Sequence, residues 1–470
     1  MRVLFIYIML LGFQTLWAQF HLHSSALDSI PSDLARPIVT ISNNASEGFI
    51  FAAIPYWGQG TPYLVLYDNS GKPIWYKRTQ GTCADFKLHQ NGLLTYYDYG
   101  TKKFYAMDSH LAIVDSFWVK NEFETDEHEI KLLPNGNVLL IGNAIRFYDM
   151  SQYVQGGNRN ASVVVNVVQE IDRNKNVVFE WKAFEHYKIT DVGPTVNLLD
   201  QAFVHSHLNS IDVDLDNNLI ISSRNLSEIT KIDRTTGTII WRLGGKNNQF
   251  TFINDSIGFS AQHSALLLPN GNLLMYDNGN GHSPHFSRAV EYKIDAFKKT
   301  ATLVWSYRNT PDIASIYWGN VQRLNSGNTL IAWGASEMAA TELNAEGKKV
   351  FEMKFPKEVF SYRLFRFPFK ITGITSTNVS ASLSEIVLNQ NYPNPFNQST
   401  TQFYGLPSSS HVKLKIYDAL GREVITLVDE EKERGEYQVR IDLKGLPSGI
   451  YFSKLQAGNL LRVKRLMYLK

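Results

Sequence analysis

The chain has 470 residues, 46 Lys and Arg against 44 Asp and Glu, and a formal net charge of +2. That length allows two or three domains, each able to bury its own core. The charge balance excludes a whole-molecule field favouring nucleic acid or an anionic membrane surface, so partner choice rests with a local site. A single cysteine, Cys83, excludes an internal disulfide and any thiolate metal cluster.

The chain opens with one cation, Arg2, an apolar run from Val3 to Phe13, and Ala18 before Gln19. This pattern predicts a signal peptide over residues 1–18. The run is shorter than the roughly 20 apolar residues a spanning helix needs. No other stretch approaches that length, so no transmembrane segment is expected once the signal is removed. Residues 19–46 form a lead-in.

From about residue 86 to 353 a unit repeats: an apolar strand, a turn near Asn-Gly-Asn, a second apolar strand, a strand ending in Asp, and one ending in an aromatic residue. The clearest copies are HEIKLLPNGNVLLIGN followed by VVQEIDRNKNVVFEW, and QHSALLLPNGNLLMYDN followed by AVEYKIDAFKKTATLVW. Asn-Gly and Asp-Asn turns between alternating apolar runs signal tight hairpins, so each unit reads as a four-stranded meander. A period of roughly 40–50 residues built from four strands is the mark of a β-propeller. Five complete units are visible, and residues 48–77 supply three strands of another. YRLFRFPF at 362–369 can provide its missing inner strand, closing a ring of six blades over residues 47–369. The irregular segment 145–165 lacks the turn signals a seventh blade would need.

Residues 370–385, rich in Ser and Thr, read as a linker. Residues 386–470 contain short strands broken by Pro and Gly, which fits a small C-terminal β-sandwich. The fold class is therefore all-β: a six-bladed propeller followed by a sandwich. Through Asn391-Tyr392-Pro393-Asn394-Pro395-Phe396-Asn397, Gly421 and Leu446-Pro447-Ser448-Gly449-Ile450-Tyr451, the tail resembles the C-terminal sorting domain of type IX secretion cargo. That resemblance implies the type IX machinery as a partner. It also implies export through the periplasm and outer membrane, with secretion or surface attachment.

In a propeller the first strand of every blade lines the central axis, so residues at equal register converge. Counting eight residues back from the turn glycines Gly136 and Gly271 reaches His128 and His263. The same count from Asn217 reaches Asn209, and His207 lies two residues earlier on the same strand face. At the end of the second strand Asn143, Arg224 and Asn278 share a register, so an arginine joins the histidines. Gly319 and Gly334, at the matching positions of the last unit, are expected to leave room for a substrate ring. His186, His205, His282 and His285 fall outside the register. Arg288 is expected to pair with a carboxylate such as Glu291, and Trp181, Trp241 and Trp305 to pack between blades.

One permanent cation and several imidazoles, with Asn209 but no carboxylate in the ring, suit an anionic, multi-oxygen ligand such as a sulfate or phosphate ester. A His-rich zinc site is the weaker reading because Arg224 would repel the cation. No cofactor and no metal are called for. A nucleotide sulfuryl donor would need a phosphate-cradling loop, and Gly244-Gly245-Lys246 lacks the upstream glycine of that motif.

The segments HSHLNSID, LIISSR, ITKIDRTTGTIIWRLGG, QHSALLLPNGNLLMYDNG and SRAVEYKID resemble the bacterial, nucleotide-independent arylsulfotransferases, over roughly residues 60–368. The resemblance implies an aryl sulfate donor, a phenolic acceptor and ping-pong transfer through a sulfohistidine. By motif, His263 is the implied nucleophile. His128, His207 and Arg224 hold the sulfuryl oxygens, His207 also protonates the departing phenolate, and Asn209 orients the group. Asn278 is counted with the substrate-binding residues through its register. The short lead-in leaves no space for the N-terminal β domain of some relatives, and lone Cys83 cannot form a disulfide found in others. The competing expectation is a non-catalytic secreted propeller that binds a surface glycan or another anionic ligand.

Overall fold

The computed structural model describes residues 30–54, 61–369, 371, 386–388, 391, 394–397, 399–433 and 435–469. The expected signal segment and almost all of the expected linker lie outside these residues. Among the described residues the chain is all-β, with one short α-helix, Ala183–His186, and two single 3-10 turns, Met150–Gln152 and Ile189–Asp191.

Alternating apolar residues and Asn-Gly or Asp-Asn turns fold locally into antiparallel hairpins. Between Ile38 and Phe367 they assemble, among the described residues, into six sheets. In chain order their first strands are Cys83–Leu88, Glu124–Leu132, Leu208–Val213, His263–Leu267 and Asn320–Arg323, with Leu364–Phe367 taking the corresponding edge of the sixth sheet. Each touches the next, and Leu364–Phe367 touches both Asn320–Arg323 and Cys83–Leu88, so the circuit is closed. Leu364–Phe367 pairs antiparallel with Phe49–Ile54, joining the two ends of this part of the chain in one sheet.

Neighbouring sheets bury their faces on each other. Ile141 and Trp181 pack in one cluster with Leu208, Ile211 and Leu219 of the following sheet, and Ile220 and Trp241 pack with Met275 and Tyr292 of the one after. Trp305 is only partly buried, with the Arg323 guanidinium 4.2 Å from its ring centroid. The Ile145–Val165 segment extends one hairpin: Val138–Tyr148 pairs along its whole length with Ala161–Ile171. Ile38–Ser42 of the lead-in adds an outer strand against Lys349–Lys354.

The tail forms a three-stranded sheet, with Val387–Leu388, Ser399–Leu406 and Gly435–Asp442, and a four-stranded sheet containing Ser410–Asp418 and Gly449–Ala457. Tyr404 and Leu406 of the first share a core cluster with Val412, Leu414 and Leu455 of the second.

Two sequence readings are corrected. Arg288 does not pair with Glu291. Its Nε donates to Asp277 Oδ2 at 2.9 Å and its Nη2 to Asp255 Oδ2 at 2.7 Å, while Glu291 accepts from Arg323 at 2.6 Å. Arg288 and Glu291 are three apart on one strand, so their side chains leave opposite faces of the sheet. Gly319 and Gly334 leave no open space either. A Cβ at Gly319 would collide with the Tyr276 ring, and one at Gly334 with the Tyr317 carbonyl. Their positive φ angles of 98° and 59° serve close packing of protein on protein.

The closing strand is anchored in charge. Arg363 Nη1 donates to Asp85 Oδ1 at 2.9 Å and Glu129 Oε2 at 3.1 Å, and its Nη2 donates to the Asn209 carbonyl at 2.7 Å. All these groups are buried. Arg363→Met leaves two buried carboxylates sharing only Lys87, so the unfolding free energy of the full chain, measured by chemical denaturation, is expected to fall by about 3–5 kcal/mol.

Candidate active site

The first strands of the circuit are not regular where the polar residues sit. Opposite Val138–Tyr148, the pairing jumps from Ile130 to Thr125 while the partner strand advances only from Leu140 to Gly142, so Asp126 to Glu129 bulge out of the ladder. A shorter irregularity brackets Asn209, between Leu208 and Ser210, and another follows His263, before Leu266. His207 and Ser264 take positive φ angles of 51° and 55°, a conformation costly for residues with a side chain. Bulges re-aim side chains. Here they direct three imidazoles toward one point.

The ring nitrogens of His128, His207 and His263 lie within 4.8 Å of one another. His207 Nε2 is 3.2 Å from His128 Nε2. The ring centroids of His128 and His207 are 4.9 Å apart, and that of His263 is 6.3 Å and 6.2 Å from these two. His128 and His263 are buried and His207 is partly buried.

Two of the other ring nitrogens are assigned by their neighbours. His128 Nδ1 lies 2.5 Å from Asp126 Oδ1, which must accept, and Asn143 Nδ2 donates to the other oxygen of Asp126 at 3.3 Å. Asn278 Nδ2 donates to the carbonyls of Ser315 and Trp318, at 2.9 Å and 3.0 Å. Two acceptors thus fix the orientation of the amide, so Asn278 Oδ1 faces His263 Nδ1 at 2.7 Å. His263 then carries its hydrogen on Nδ1 and keeps a lone pair on Nε2.

Arg224 follows the end of Leu219–Ser223, and Asn278 follows the end of Leu273–Asp277. Arg224 Nη1 donates to Asn225 Oδ1 at 2.8 Å and Nη2 to the Ile316 carbonyl at 3.0 Å, while its buried Nε has no partner among the described residues. Its guanidinium stands 5.3 Å from the Tyr317 ring centroid. Asn209 Nδ2 donates to the Gln262 carbonyl at 2.7 Å, and its buried Oδ1 is unpaired among the described residues. The structure therefore gathers the three histidines, brings Asn278 onto His263, and ties Arg224 and Asn209 into the adjoining backbone.

The histidines are driven apart in charge. Burial pulls His128 down, but Asp126 and then Glu127 outweigh it and hold its imidazole above the ordinary value. Asp126 is correspondingly held below its own, burial being outweighed by His128. Burial and the neighbouring cations His128 and Arg224 push His207 well below the ordinary range. Burial, then Arg224, His207 and His128, do the same to His263. The site thus favours a proton on His128 beside Asp126 and disfavours one on His207 and His263, next to a guanidinium.

Sequence reading placed no carboxylate here, and Asp126 corrects it. The signal was present, because Asp126 lies two residues before His128 on one strand. The bulge that lets it reach back to Nδ1 was not visible. Tyr362 was also missed: its hydroxyl donates to the His128 carbonyl at 3.1 Å and its ring stands 5.3 Å from that of His128. Of the off-register histidines, His186 stacks on Trp181, and His285 Nε2 donates to the Asn278 carbonyl at 3.0 Å. His282 lies near Asp277, and His205 binds the Lys188 carbonyl.

By spacing alone the three histidines could hold a divalent cation. The guanidinium whose field already depresses His207 and His263 opposes one and favours an anion. Fold and site together define an all-β protein with a buried cluster of imidazoles beside a guanidinium, chemistry that suits a multi-oxygen anion.

Comparison with known proteins gives the family. The sequence model of the arylsulfotransferase (ASST) family matches residues 36–363, and that of the secretion system C-terminal sorting domain matches residues 390–468. The chain belongs to the arylsulfotransferase family and carries a C-terminal sorting domain. It is similar to the arylsulfate sulfotransferase of Escherichia coli, with 23% identity over 64% of this chain and 63% of that protein. The chain thus spans less than two thirds of that curated relative's length. Among solved structures it is similar to a protein of unknown function from Bacteroides caccae, at 12% identity and a TM-score of 0.44 over 68% of this chain and 100% of that one. It is also similar to a virginiamycin B lyase from Staphylococcus aureus, at 11% identity and a TM-score of 0.35 over 72% and 90%. The sorting domain marks the protein for export through the outer membrane, to the cell surface or the medium. No helix among the described residues is long and apolar enough to cross a membrane.

Asp126→Asn removes the charge that holds the His128 proton. The His128 pKa, followed by NMR titration, is expected to fall below its wild-type value. Stability should respond with a definite sign. A raised folded pKa stabilises below the unfolded value near about 6.5, and that contribution disappears as pH climbs through the folded pKa. The variant should therefore lose most stability on the acid side of the His128 titration and least above it, as read from denaturation midpoints across pH.

Proposed function

We propose that the six sheets are the blades of a β-propeller over residues 47–369, followed by a linker at 370–385 and a sorting β-sandwich at 386–470. We further propose that the histidine cluster transfers a sulfuryl group from an aryl sulfate to a phenol without a nucleotide donor. The observation that carries this reading is the separation of charge among three adjacent histidines. A nucleophile must be neutral and an oxyanion clamp cationic, and His263 and His128 have those opposite environments.

His263 Nε2 attacks the sulfur, an N–S bond forms and the S–O bond to the aryl group breaks. Asn278 orients the attacking lone pair by holding Nδ1–H. Arg224 donates to the sulfuryl oxygens, and the His128 imidazolium adds positive charge beside them, with Asn209 next to the group, as charge shifts onto the leaving oxygen. The departing phenolate takes the Nδ1 proton of His207, whose Nε2 is refilled from His128 across 3.2 Å. In the second half-reaction a phenol returns that proton as its oxygen attacks sulfur and the N–S bond breaks. No net proton or electron is exchanged, and each half uses the same clamp, giving ping-pong kinetics.

Purified full-length protein is expected to transfer the sulfuryl group of 4-nitrophenyl sulfate to phenol, releasing 4-nitrophenolate. His263→Asn should lower kcat by at least about a thousandfold, the scale of losing a nucleophile. Transfer that survives His263→Asn intact removes the nucleophile from the scheme. A chain that binds sulfate esters or a glycan without turnover instead supports a binding protein. In the transferring enzyme kcat/KM should decline on the alkaline side as His128 deprotonates, and Asp126→Asn should move that decline to lower pH.

A further inference from the structure

The Asn278 amide can orient His263 only if its own two acceptors stay in place. Those acceptors, the carbonyls of Ser315 and Trp318, lie in the stretch between strands Thr300–Arg308 and Asn320–Arg323, where no ladder holds the backbone. The same stretch holds the guanidinium. The Ile316 carbonyl accepts from Arg224 Nη2 at 3.0 Å and from Asn280 Nδ2 at 3.2 Å. Carbonyls of Ser315, Ile316 and Trp318 thus serve the nucleophile and the anion clamp together.

Packing secures the ends of this stretch. Ile313 and Trp318 pack against buried clusters, but the side chains of Ile316 and Tyr317 are exposed, so the carbonyls between depend on hydrogen bonds. One fully buried hydroxyl, that of Ser287, makes the central ones. The Ser287 N–H donates to the Ile313 carbonyl at 2.7 Å, and its Oγ accepts from the Ser315 N–H at 2.9 Å. The hydroxyl hydrogen points back to Asn278: Oγ lies 2.8 Å from the Asn278 carbonyl and 3.2 Å from that of Ser315. His285 Nε2 reaches the same Asn278 carbonyl at 3.0 Å, and the Ser315 hydroxyl donates to the Tyr317 carbonyl at 3.0 Å. A hydroxyl accepts and donates at once, and where it is buried no water takes its place.

We propose that Ser287 is a positioning residue: its hydroxyl ties the backbone of Asn278 to the stretch whose carbonyls hold the Asn278 amide and Arg224, and so keeps the His263 ring and the guanidinium in one arrangement. Its effect on turnover rests on the transfer reading above, whereas the tie itself does not. Reacting groups must be held within about 0.5 Å of their productive geometry. A misplaced nucleophile loses rate more than ground-state binding.

The test compares the full chain with Ser287→Ala and with Ser287→Thr, which keeps the hydroxyl. Without substrate, heteronuclear NMR follows the His263 Nδ1–H, assigned by its loss in His263→Asn. Ser287→Ala is expected to speed exchange of that hydrogen with water about tenfold, the scale of one hydrogen bond, while Ser287→Thr leaves it slow. With 4-nitrophenyl sulfate and phenol, Ser287→Ala should lower kcat about tenfold and leave KM within about twofold. Unchanged exchange in Ser287→Ala overturns the tie whatever happens to turnover, and faster exchange with unchanged kcat overturns the positioning role. Absence of transfer by the unmodified chain sinks the transfer reading instead, and exchange at His263 then decides the tie. If Ser287→Ala does not fold, the Ser315 N–H of the unmodified chain decides: protection like that of the flanking strands is expected, and exchange at the rate of an open loop overturns the proposal.

Discussion

One guanidinium holds the circuit of sheets and the candidate site in a single arrangement. Arg363 belongs to the strand region that completes the sixth sheet, yet its donors reach Asp85, Glu129 and the Asn209 carbonyl, on three other strands of the circuit. Its neighbour Tyr362 donates to the His128 carbonyl. The backbone that carries two of the site residues is thus fixed by side chains about 150 to 230 residues away in sequence. Burying such charges is favourable only where every partner is in place. Closure of the circuit and placement of His128 and Asn209 therefore depend on the same contacts.

The strain in the site has a matching explanation. Regular antiparallel strands would pair the backbone around Asp126, Asn209 and Ser264 and point alternate side chains inward at fixed spacing. Bulges at these places break the ladder and bring side chains from three strands within hydrogen-bonding range. The positive φ of His207 and Ser264 is tolerated because the strands beside them are buried and paired beyond each irregularity. The result is chemical differentiation of three like residues. Burial, reinforced by neighbouring cations, lowers His207 and His263, while Asp126 outweighs burial at His128, and the three take opposite protonation tendencies within a few ångströms.

The sorting tail and the larger part are matched by two different families and bury separate cores. Apolar residues at alternating positions of Ser399–Leu406 and Ser410–Asp418 meet in one core cluster, so the tail buries its own faces. Nothing in its sequence resembles the histidine cluster. The histidine-bearing hairpins belong to residues 36–363, matched by the arylsulfotransferase family.

What the sequence by itself determined is whatever depends on local periodicity and on equal register. The hairpins follow from alternating apolar residues and Asn-Gly turns. The pairing of Leu364–Phe367 with Phe49–Ile54 follows from a unit lacking one strand. Counting back from equivalent turns reaches His128, Asn209 and His263, with His207 two residues before Asn209, and the three histidines do gather. The tertiary structure alone decided which groups touch. It revealed that Asp126 reaches His128 through a bulge, that Arg288 turns to Asp255 and Asp277, and that Gly319 and Gly334 are filled by protein. The physical reason is that hydrogen bonding and charge depend on distances of a few tenths of an ångström and on removal from water. Bulges and distant strands set both, and neither leaves a mark in the spacing of residues along the chain.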